Sequence, residues 1–158
     1  MIVRKAERRD AEILFGFVLR LDRDGAPVRG PVMSVADIVA AGFGPEPLFE
    51  AFIAETAEGV PLGAISFFRG YSGWYAKSLA MVHLLFVTET ARGRGIGRKL
   101  MAAVADVVVR RNWVRLELIV EEDRPAIGFY ENIGMQNCQH RHFRLEGRGL
   151  TELARKCD

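Results

Sequence analysis

Apolar residues in the first part of the chain recur at helical spacing. Asp10 is a predicted N-cap, and the apolar stripe after it predicts a helix that ends before a Gly- and Pro-containing loop at 22–33. Ser34 and Asp37 have the spacing of a capping box, which predicts a second short helix that stops at Gly42. The stripe of the first helix consists of Ile13, Leu14, Phe17, Val18 and Leu21.

Strand-like runs surround and follow these helices. Residues 2–4 predict a short first strand. A Glu-Gly pair at 58–59 separates the apolar runs 49–55 and 60–68, which predicts a β-hairpin. The run 80–87 is almost continuously apolar, as is typical of a strand covered on both faces.

After residue 97 the apolar period becomes helical again. One apolar face predicts a helix that ends near Arg111, and 114–120 then alternates apolar and polar residues as a strand does. A strand, a helix and a strand in this order form a βαβ unit, so the strands at 80–87 and 114–120 are predicted to be parallel. The helix face consists of Leu100, Ala103, Val104, Val107 and Val108.

The C-terminal part adds a helix and then more strand pattern. Asp123 and Pro125 begin the predicted helix, Gly134 ends it, and Met135–Leu145 is expected to add one or two last strands. No internal repeat or interdomain linker appears. The sequence therefore predicts the α/β class, with one mixed sheet and flanking helices in a single domain, residues 1–158.

Composition excludes several classes of protein. The chain has 158 residues, of which 49% are hydrophobic and 27% charged, a balance typical of a folded globular domain. A net charge of +2 does not indicate a nucleic-acid partner. The charged start and the lack of an apolar run of about 18 residues predict no signal peptide, no membrane span and a cytoplasmic location. Cys138, Cys157 and the three histidines lack metal-ligand spacing, so we expect inert thiols and no metal.

A glycine-rich turn, residues 92–98, lies between the apolar strand and the amphipathic helix. Glycines permit positive φ angles, so successive N–H groups can point into one concavity, and the helix that follows adds its unpaired N–H groups. With three arginines, this turn is suited to hold a diphosphate, although a plain tight turn remains the alternative. An RNA-binding Arg-Gly segment is a weaker reading, because the tract is short and has no interleaved aromatic residues.

Four runs of sequence resemble one enzyme family. VTETARGRGIGRKL is similar to the acyl-CoA pyrophosphate motif of the GNAT N-acetyltransferases, matched at Arg92, Gly95 and Gly97. RPAIGFYENIGM resembles the family's downstream helix, with its Phe-Tyr pair at Phe129 and Tyr130. DIVAAGFGPEPLFEAFIAE and YSGWYAKSLAMVHLLFV are similar to the diamine acetyltransferases, the spermidine/spermine and thialysine branch.

This resemblance implies a GNAT-like fold in which two central parallel strands splay apart and hold acetyl-CoA between them. Backbone groups of Leu85 and Val87 would bind the pantetheine and the thioester oxygen. Residues 93–98 would hold the pyrophosphate, and 123–126 would border the cofactor. The implied cofactor-binding residues are Leu85, Phe86, Val87, Arg92, Gly93, Arg94, Gly95, Ile96, Gly97, Arg98, Asp123, Pro125 and Ala126.

Tyr130 matches the family tyrosine that protonates the leaving thiolate. A phenol with a pKa near 10 is a workable donor to a thiolate whose acid has a pKa around 8.5. The alternative is that Tyr130 packs on its helix with Ile127 and Ile133. Two further aromatic residues, Trp74 and Phe43, match family positions, and we interpret both as packing residues.

The chain departs from the polyamine branch where the acceptor would bind. Asp24-Gly25 replaces a Tyr-Glu pair, His83-Leu84 replaces a Glu-Asp pair, and Asp123 replaces an asparagine and cannot donate as an amide does. These losses place polyamine specificity in question and leave Asp24 and His83 as the candidate substrate-binding residues.

His83 has two interpretations. An imidazole can act as the base that deprotonates the amine. By strict alternation, however, His83 would share a strand face with Met81, Leu85 and Val87 and be a buried, hydrogen-bonded residue. One extra residue after Trp74, relative to the common pattern, leaves room for a β-bulge.

The resemblance implies an enzyme that transfers an acetyl group from acetyl-CoA to a primary amine of a small polyamine-like or amino-acid-like molecule, by direct attack. The alternative is a GNAT-fold acyl-CoA-binding sensor or interaction module with little catalysis. The diamine branch also implies a homodimer that pairs through the strands expected at Met135–Leu145.

Overall fold

The computed structural model of the chain describes residues 1–23, 33–121, 124–139, 142–143 and 145–155. The chain clusters into two compact units, residues 1–121 and 122–158. The single domain expected over 1–158 stays a prediction. Within the described ranges, no helix is long and apolar enough to cross a lipid bilayer.

The first unit is a five-stranded sheet with helices, which confirms the mixed α/β class. Neighbouring strands follow chain order, β1-β2-β3-β4-β5. The first three pairings are antiparallel and β4 pairs with β5 in parallel, as the βαβ pattern predicts. The elements are β1 (Ile2–Lys5), α1 (Ala11–Arg23), α2 (Val35–Phe43), β2 (Glu50–Glu55), β3 (Pro61–Ser72), β4 (Lys77–Val87), α3 (Ile96–Arg110) and β5 (Leu116–Leu118).

Asp10 does not cap α1, contrary to the sequence prediction. It is the last residue of a 3-10 turn over Arg8–Asp10, and its Oδ2 accepts a hydrogen bond from the Glu7 N–H at 2.7 Å. Asp10 is 2% exposed, and its two oxygens accept from the Arg4 guanidinium at 2.7 and 2.8 Å. Arg4 also donates to Glu55 on β2. The ion pair with Arg4 therefore holds Asp10 in place and ties β1 to the start of α1.

Helices α1 and α2 largely follow the sequence pattern. Leu14 and Phe17 lie in the core, whereas Leu21 is 39% exposed and does not belong to the buried stripe. The capping box at the start of α2 is present, with the Asp37 N–H donating to Ser34 Oγ at 3.3 Å. Helix α2 ends at Phe43, one residue beyond the stop predicted at Gly42. The greater part of the loop predicted at 22–33 lies outside the described residues.

The hairpin between β2 and β3 is confirmed, with Gly59 at φ +83° in its turn. Strand β4 is confirmed as well, but the expectation that both faces are covered is wrong. Burial alternates along its second half: Val82, Leu84 and Phe86 are buried, whereas the residues between them are half-buried or exposed. Among the described residues, β5 pairs with β4 only as far as Val82.

Helix α3 covers the sheet through the apolar face that the sequence predicts, and it contacts β1, β2, β3 and β4. Strand β5 spans three residues, Leu116–Leu118, rather than the predicted 114–120. Its parallel register with β4 contains three residue pairs. The buried residues of α3 are Ile96, Leu100, Met101, Val104, Val107 and Val108.

The second unit contains two short helices. Helix α4 (Ile127–Asn132) begins after Ala126, later than the predicted start at Asp123 and Pro125. The strands expected at Met135–Leu145 are wrong for the described residues of that range, none of which is in a strand. Gln139 has a φ of +52°, which interrupts an extended backbone. Helix α5 (Arg148–Ala154) follows, where no helix was predicted.

Candidate functional site

A β-bulge interrupts β4 at His83. Ser66 on β3 lies opposite Leu84, and the next residue, Phe67, lies opposite Val82. His83 therefore has no opposed residue in the β3–β4 register. A bulge adds one residue to one strand of a pair and bends that strand locally. The β-bulge for which the sequence left room between Trp74 and the end of this strand therefore lies at His83.

The bulge changes which residues direct their backbone groups toward β5. In an antiparallel pair, every second residue points its N–H and C=O at the partner strand. The Thr88 N–H donates to the Leu62 carbonyl at 2.9 Å, so Phe86 faces β3 as well. A Cβ placed on Gly63 of β3 would lie 2.5 Å from the Phe86 oxygen, which agrees with this direction. Leu85 therefore points its N–H and C=O away from β3.

On the other side of the bulge, β4 and β5 are still paired. The Ala80 N–H donates to the Arg115 carbonyl at 3.0 Å, and the pairing ends at Val82 and Leu118. From His83 to Val87, no strand in the described part of the chain pairs with the β5-facing side of β4. We call this side the open edge. It presents the backbone groups of Leu85 and Val87.

The bulge also corrects the expected alternation of side chains. Met81 lies opposite Phe68 and Leu85 lies opposite Ile65. Directly opposed residues share a face of a sheet, and two β3 residues three positions apart point to opposite faces. Met81 and Leu85 are thus on different faces, contrary to strict alternation. His83 is exposed, and its side chain has no hydrogen bond to the described residues, which contradicts the interpretation as a buried, satisfied histidine.

The turn at residues 92–98 has the backbone that its glycines predict. Gly93 and Gly95 have φ angles of +75° and +74°, a region that residues with a Cβ rarely adopt. A Cβ on either glycine would meet no atom within 4 Å, so the turn is open on that side. Gly95 is the N-cap of α3 and the first turn has no capping side chain, which leaves the N–H groups of Ile96 and Gly97 before the first helical bond.

Arg92 connects this turn to the open edge. Its Nε donates to the Val87 carbonyl at 3.2 Å, which holds the turn against the end of β4. The Val87 N–H and both backbone groups of Leu85 remain on the open edge. The sequence motif predicted Arg92 as a contact of the diphosphate, but the bond to Val87 depends on how the strand ends and has no signal in the linear pattern.

Two of the residues implied as cofactor contacts have their side chains in the core. Phe86 is 3% exposed and stacks on Phe17 of α1, with ring centroids 5.0 Å apart. The Ile96 side chain is 2% exposed, so this residue offers only its backbone N–H to the turn. Arg94 and Arg98 are exposed beside the glycines. The first unit thus brings Leu85, Val87 and the residues at 92–98 together at one end of β4.

Tyr130 lies on α4 in the second unit, together with Pro125 and Ala126, which are exposed. The Tyr130 ring is half-buried and packs edge-on against Phe129, with centroids 5.3 Å apart. Burial raises the pKa of the Tyr130 phenol above its usual value. The group therefore stays protonated to a higher pH, a state that a proton donor requires.

Several other sequence interpretations have mixed outcomes. Asp24, Gly25, Asp123 and Cys157 lie outside the described residues. Phe43 packs edge-on against Phe49, as a packing residue should. Trp74 is 91% exposed in the turn between β3 and β4, so its interpretation as a packing residue is wrong. Cys138 is an exposed free thiol, and across the described ranges no group of three or more His, Cys, Asp or Glu side chains is arranged to hold a metal.

The arrangement in the first unit is suited to a ligand with two distinct parts. N–H groups at a helix start with positive-φ glycines favour a phosphate or diphosphate. Strand N–H and C=O groups without a strand partner favour an extended chain that contains amides, which can bond to them as another strand would. Acetyl-CoA has both parts, a diphosphate and a pantetheine chain, and the residues present fit it.

Comparison with known proteins agrees with this geometry. Residues 32–135 match the model of the acetyltransferase (GNAT) family. The chain is 28% identical over 172 residues to a thialysine N-epsilon-acetyltransferase of Bos taurus, covering 99% of this chain and 98% of that protein. It is 31% identical over 111 residues to an L-ornithine N5-acetyltransferase of Arabidopsis thaliana, covering 68% of this chain and 49% of that protein.

The fold is shared with solved structures. An integron cassette protein from the mobile metagenome of V. cholerae superposes with a TM-score of 0.75 at 24% identity, covering 97% of this chain and 96% of the other. The match of the family model to about two thirds of the chain, from α2 to the end of α4, includes the glycine turn and the open edge. The chain therefore belongs to the GNAT family of acetyltransferases and is an acetyl-transferring enzyme.

Proposed function

We propose that this enzyme transfers the acetyl group of acetyl-CoA to a primary amine of a small amino-acid-like or polyamine-like molecule, by direct attack of the amine. The observation that carries the proposal is the change of backbone direction at His83, which turns Leu85 and Val87 toward an edge that β5 has left. A GNAT enzyme without such an edge would have no strand to hold the pantetheine chain.

The residues of the first unit have separate roles in this proposal. The N–H groups at 93–98 bind the diphosphate, assisted by the exposed Arg94 and Arg98. The Val87 N–H and the Leu85 carbonyl bond to the pantetheine amides, and the Leu85 N–H donates to the thioester oxygen, where negative charge develops. Acetyl-CoA supplies an activated acetyl thioester, so the protein has to orient the amine and move two protons.

His83 and Tyr130 are proposed for the two proton transfers. His83 accepts the proton that the amine loses, since it is exposed at the bulge, two residues before Leu85. Tyr130 gives a proton to the leaving thiolate, and its raised pKa keeps it protonated for that step. The new C–N bond replaces the C–S bond, and one proton enters His83 while another leaves Tyr130.

The relatives support an amine acceptor of this size. Their names specify thialysine and L-ornithine, both amino acids with a second amine on the side chain. Asp123 and Pro125–Ala126 are proposed to border the cofactor and Asp24 the acceptor, as the resemblance implies.

The proposal is tested by release of free thiol from acetyl-CoA in the presence of a panel of amines. The panel contains L-ornithine, L-lysine, thialysine, spermidine and a peptide with a free N-terminus. We expect amine-dependent thiol release with at least one small amine and the formation of an N-acetylated product by mass spectrometry. Thiol release that no amine accelerates would contradict the proposal and favour an acyl-CoA-binding protein with little catalysis.

We also infer that the enzyme is a homodimer, as the resemblance to the diamine branch implies, and that it is cytoplasmic. The second unit has exposed apolar side chains at Phe143 and Leu145, which support an interface there. Light scattering at micromolar concentration is expected to give the mass of two chains. The mass of one chain would contradict this inference and leave the proposed reaction unaffected.

A further inference from the structure

Three residues form a row across the sheet just before β4 and β5 part. Phe68 on β3 lies opposite Met81 on β4, and Met81 lies opposite Glu117 on β5. Because opposed residues share a face, the three side chains lie side by side. We call Phe68, Met81 and Glu117 the acidic row.

The acidic row lies on the same face as α1 but outside its cover. Ala64 lies opposite Phe86, whose ring stacks on Phe17 of α1, so the even-numbered residues of β3 face α1. Phe68 is on this face and is 40% exposed, and the Glu117 side chain is 35% exposed. An aromatic ring, a thioether and a carboxylate thus form a partly open surface rather than core.

The position of Glu117 relative to the open edge is determined by the register. The β4–β5 pairing ends one residue after Met81–Glu117, and His83 follows at once. Two residues of strand span about 7 Å. A carboxylate therefore lies on the strand next to the bulge, about 7 Å from His83 along the strand direction and one strand across.

Arg115 is the second charged group on this surface. It is two residues from Glu117 on the same face, and the two side chains form an ion pair. Arg115 also donates to Ser72 Oγ at 3.4 Å and lies over the Tyr75 ring, 5.7 Å from its centroid. These contacts hold the guanidinium in place. Arginine has five N–H donors and a carboxylate has about four acceptor sites. Each of the two groups can therefore form hydrogen bonds with a further charged partner while the ion pair persists.

We propose that Glu117 and Arg115 select the acceptor of the reaction, an α-amino acid that carries a second, terminal primary amine. Glu117 binds the α-ammonium group, Arg115 binds the α-carboxylate, and Phe68 and Met81 support the aliphatic chain that extends toward His83. Glu117 and Arg115 place a negative and a positive charge side by side, as an amino acid carries an ammonium and a carboxylate group on one carbon. A polyamine has no carboxylate, so Arg115 disfavours it. This inference rests on the proposed function and assigns its substrate class.

The test compares L-ornithine with 1,4-diaminobutane, which is the same chain without the carboxylate. Thiol-release kinetics are measured for the wild type, Glu117→Gln and Arg115→Gln. Asp106→Asn serves as a control, because it removes a carboxylate from another exposed ion pair, that with Arg110 on α3. Melting temperatures of all variants establish that each is folded.

We expect Glu117→Gln to raise KM for both amines about ten- to hundredfold, because each loses a charge-assisted hydrogen bond, with kcat little changed. Arg115→Gln should raise KM for L-ornithine alone, so its preference for L-ornithine over 1,4-diaminobutane falls at least about tenfold. The Asp106→Asn control should match the wild type.

Two results would overturn the inference while leaving the reaction in place: an unchanged KM in Glu117→Gln, or an unchanged preference in Arg115→Gln. A wild type that releases no thiol with any amine of the larger panel would overturn the proposed function and this inference together. The two failures are therefore distinguishable by the wild-type measurement.

Discussion

Two substitutions of Gly95, to alanine and to aspartate, should affect the stability of the protein and its affinity for acetyl-CoA in opposite order. Its φ of +74° and ψ of +8° are left-handed, and a Cβ there would meet no atom within 4 Å. Gly95→Ala therefore costs only the backbone penalty, about 1–2 kcal/mol. For a chain of this length that corresponds to a melting temperature lower by about 2–8 °C.

Gly95→Asp adds a charge to the same backbone change. Aspartate tolerates left-handed backbone better than alanine, and a carboxylate at the N-terminus of α3 gains about 0.3–1 kcal/mol from the helix dipole. The loss of stability should thus be smaller than in Gly95→Ala. A phosphate bound at the turn, by contrast, is repelled. Two unit charges 5 Å apart at an effective dielectric constant near 20 repel by about 3 kcal/mol, more than a hundredfold in affinity.

The assay is calorimetric titration with acetyl-CoA, paired with thermal melts. We expect Gly95→Ala to bind within about tenfold of the wild type and Gly95→Asp to bind more than about a hundredfold more weakly. Gly59 provides the matched control, since it has a φ of +83° and equal space around it but lies in the β2–β3 hairpin. Gly59→Asp should lose stability and keep full affinity. Wild-type affinity in Gly95→Asp would refute the diphosphate site.

Three further substitutions test other parts of the account. Tyr130→Phe should keep acetyl-CoA affinity and lose most of kcat, and a kcat equal to the wild type would return Tyr130 to a packing role. His83→Gln keeps the hydrogen-bonding capacity of the side chain without a base and should lose most of kcat/KM, and full activity would assign the proton to another group. Asp10→Asn should destabilise the fold by about 1.5–3 kcal/mol, because it breaks an ion pair in which the carboxylate is buried, although Arg4 keeps Glu55 as a partner. Since the Arg4 guanidinium lowers the pKa of Asp10, this stabilisation is complete above the ordinary pKa near 3.8 and is lost as the pH falls through the folded-state value. Urea titrations should therefore show Asp10→Asn and wild type converging in stability at acid pH, and a constant difference would contradict this cause.

Local sequence signals predicted the elements whose cause is local. The capping box at Ser34, the hairpin turn at Gly59 and the apolar face of α3 each lie within a few residues of the structure they produce. The extra residue on β4 also had a sequence signal, since the chain is one residue longer than the common pattern before Val87. The glycine turn at 92–98 was predicted in the correct place because the glycines that form it are adjacent in the sequence.

Features that depend on distant partners were not predicted. Asp10 is a separate case, because its partners, Arg4 and the Glu7 N–H, are near in the chain but lie before it, on the side away from the helix that it was predicted to cap. Alternation across His83 failed because a bulge is a property of two strands, and the length of one strand alone does not show which residues change direction. Glu117 has the pattern of an ordinary polar strand position, and only the register beside Met81 brings it near the point where β4 and β5 part.

In the proposed reaction, the open edge of β4 binds acetyl-CoA through Leu85 and Val87. Residue-resolved amide hydrogen exchange tests it directly, because the Phe86 N–H already faces β3 and its neighbours on either side do not. Saturating acetyl-CoA should slow exchange at Leu85 and Val87 by at least about tenfold more than at Phe86, which reports only the general stabilisation by a ligand. Equal slowing at all three amides, or none at Leu85 and Val87, would contradict the claim.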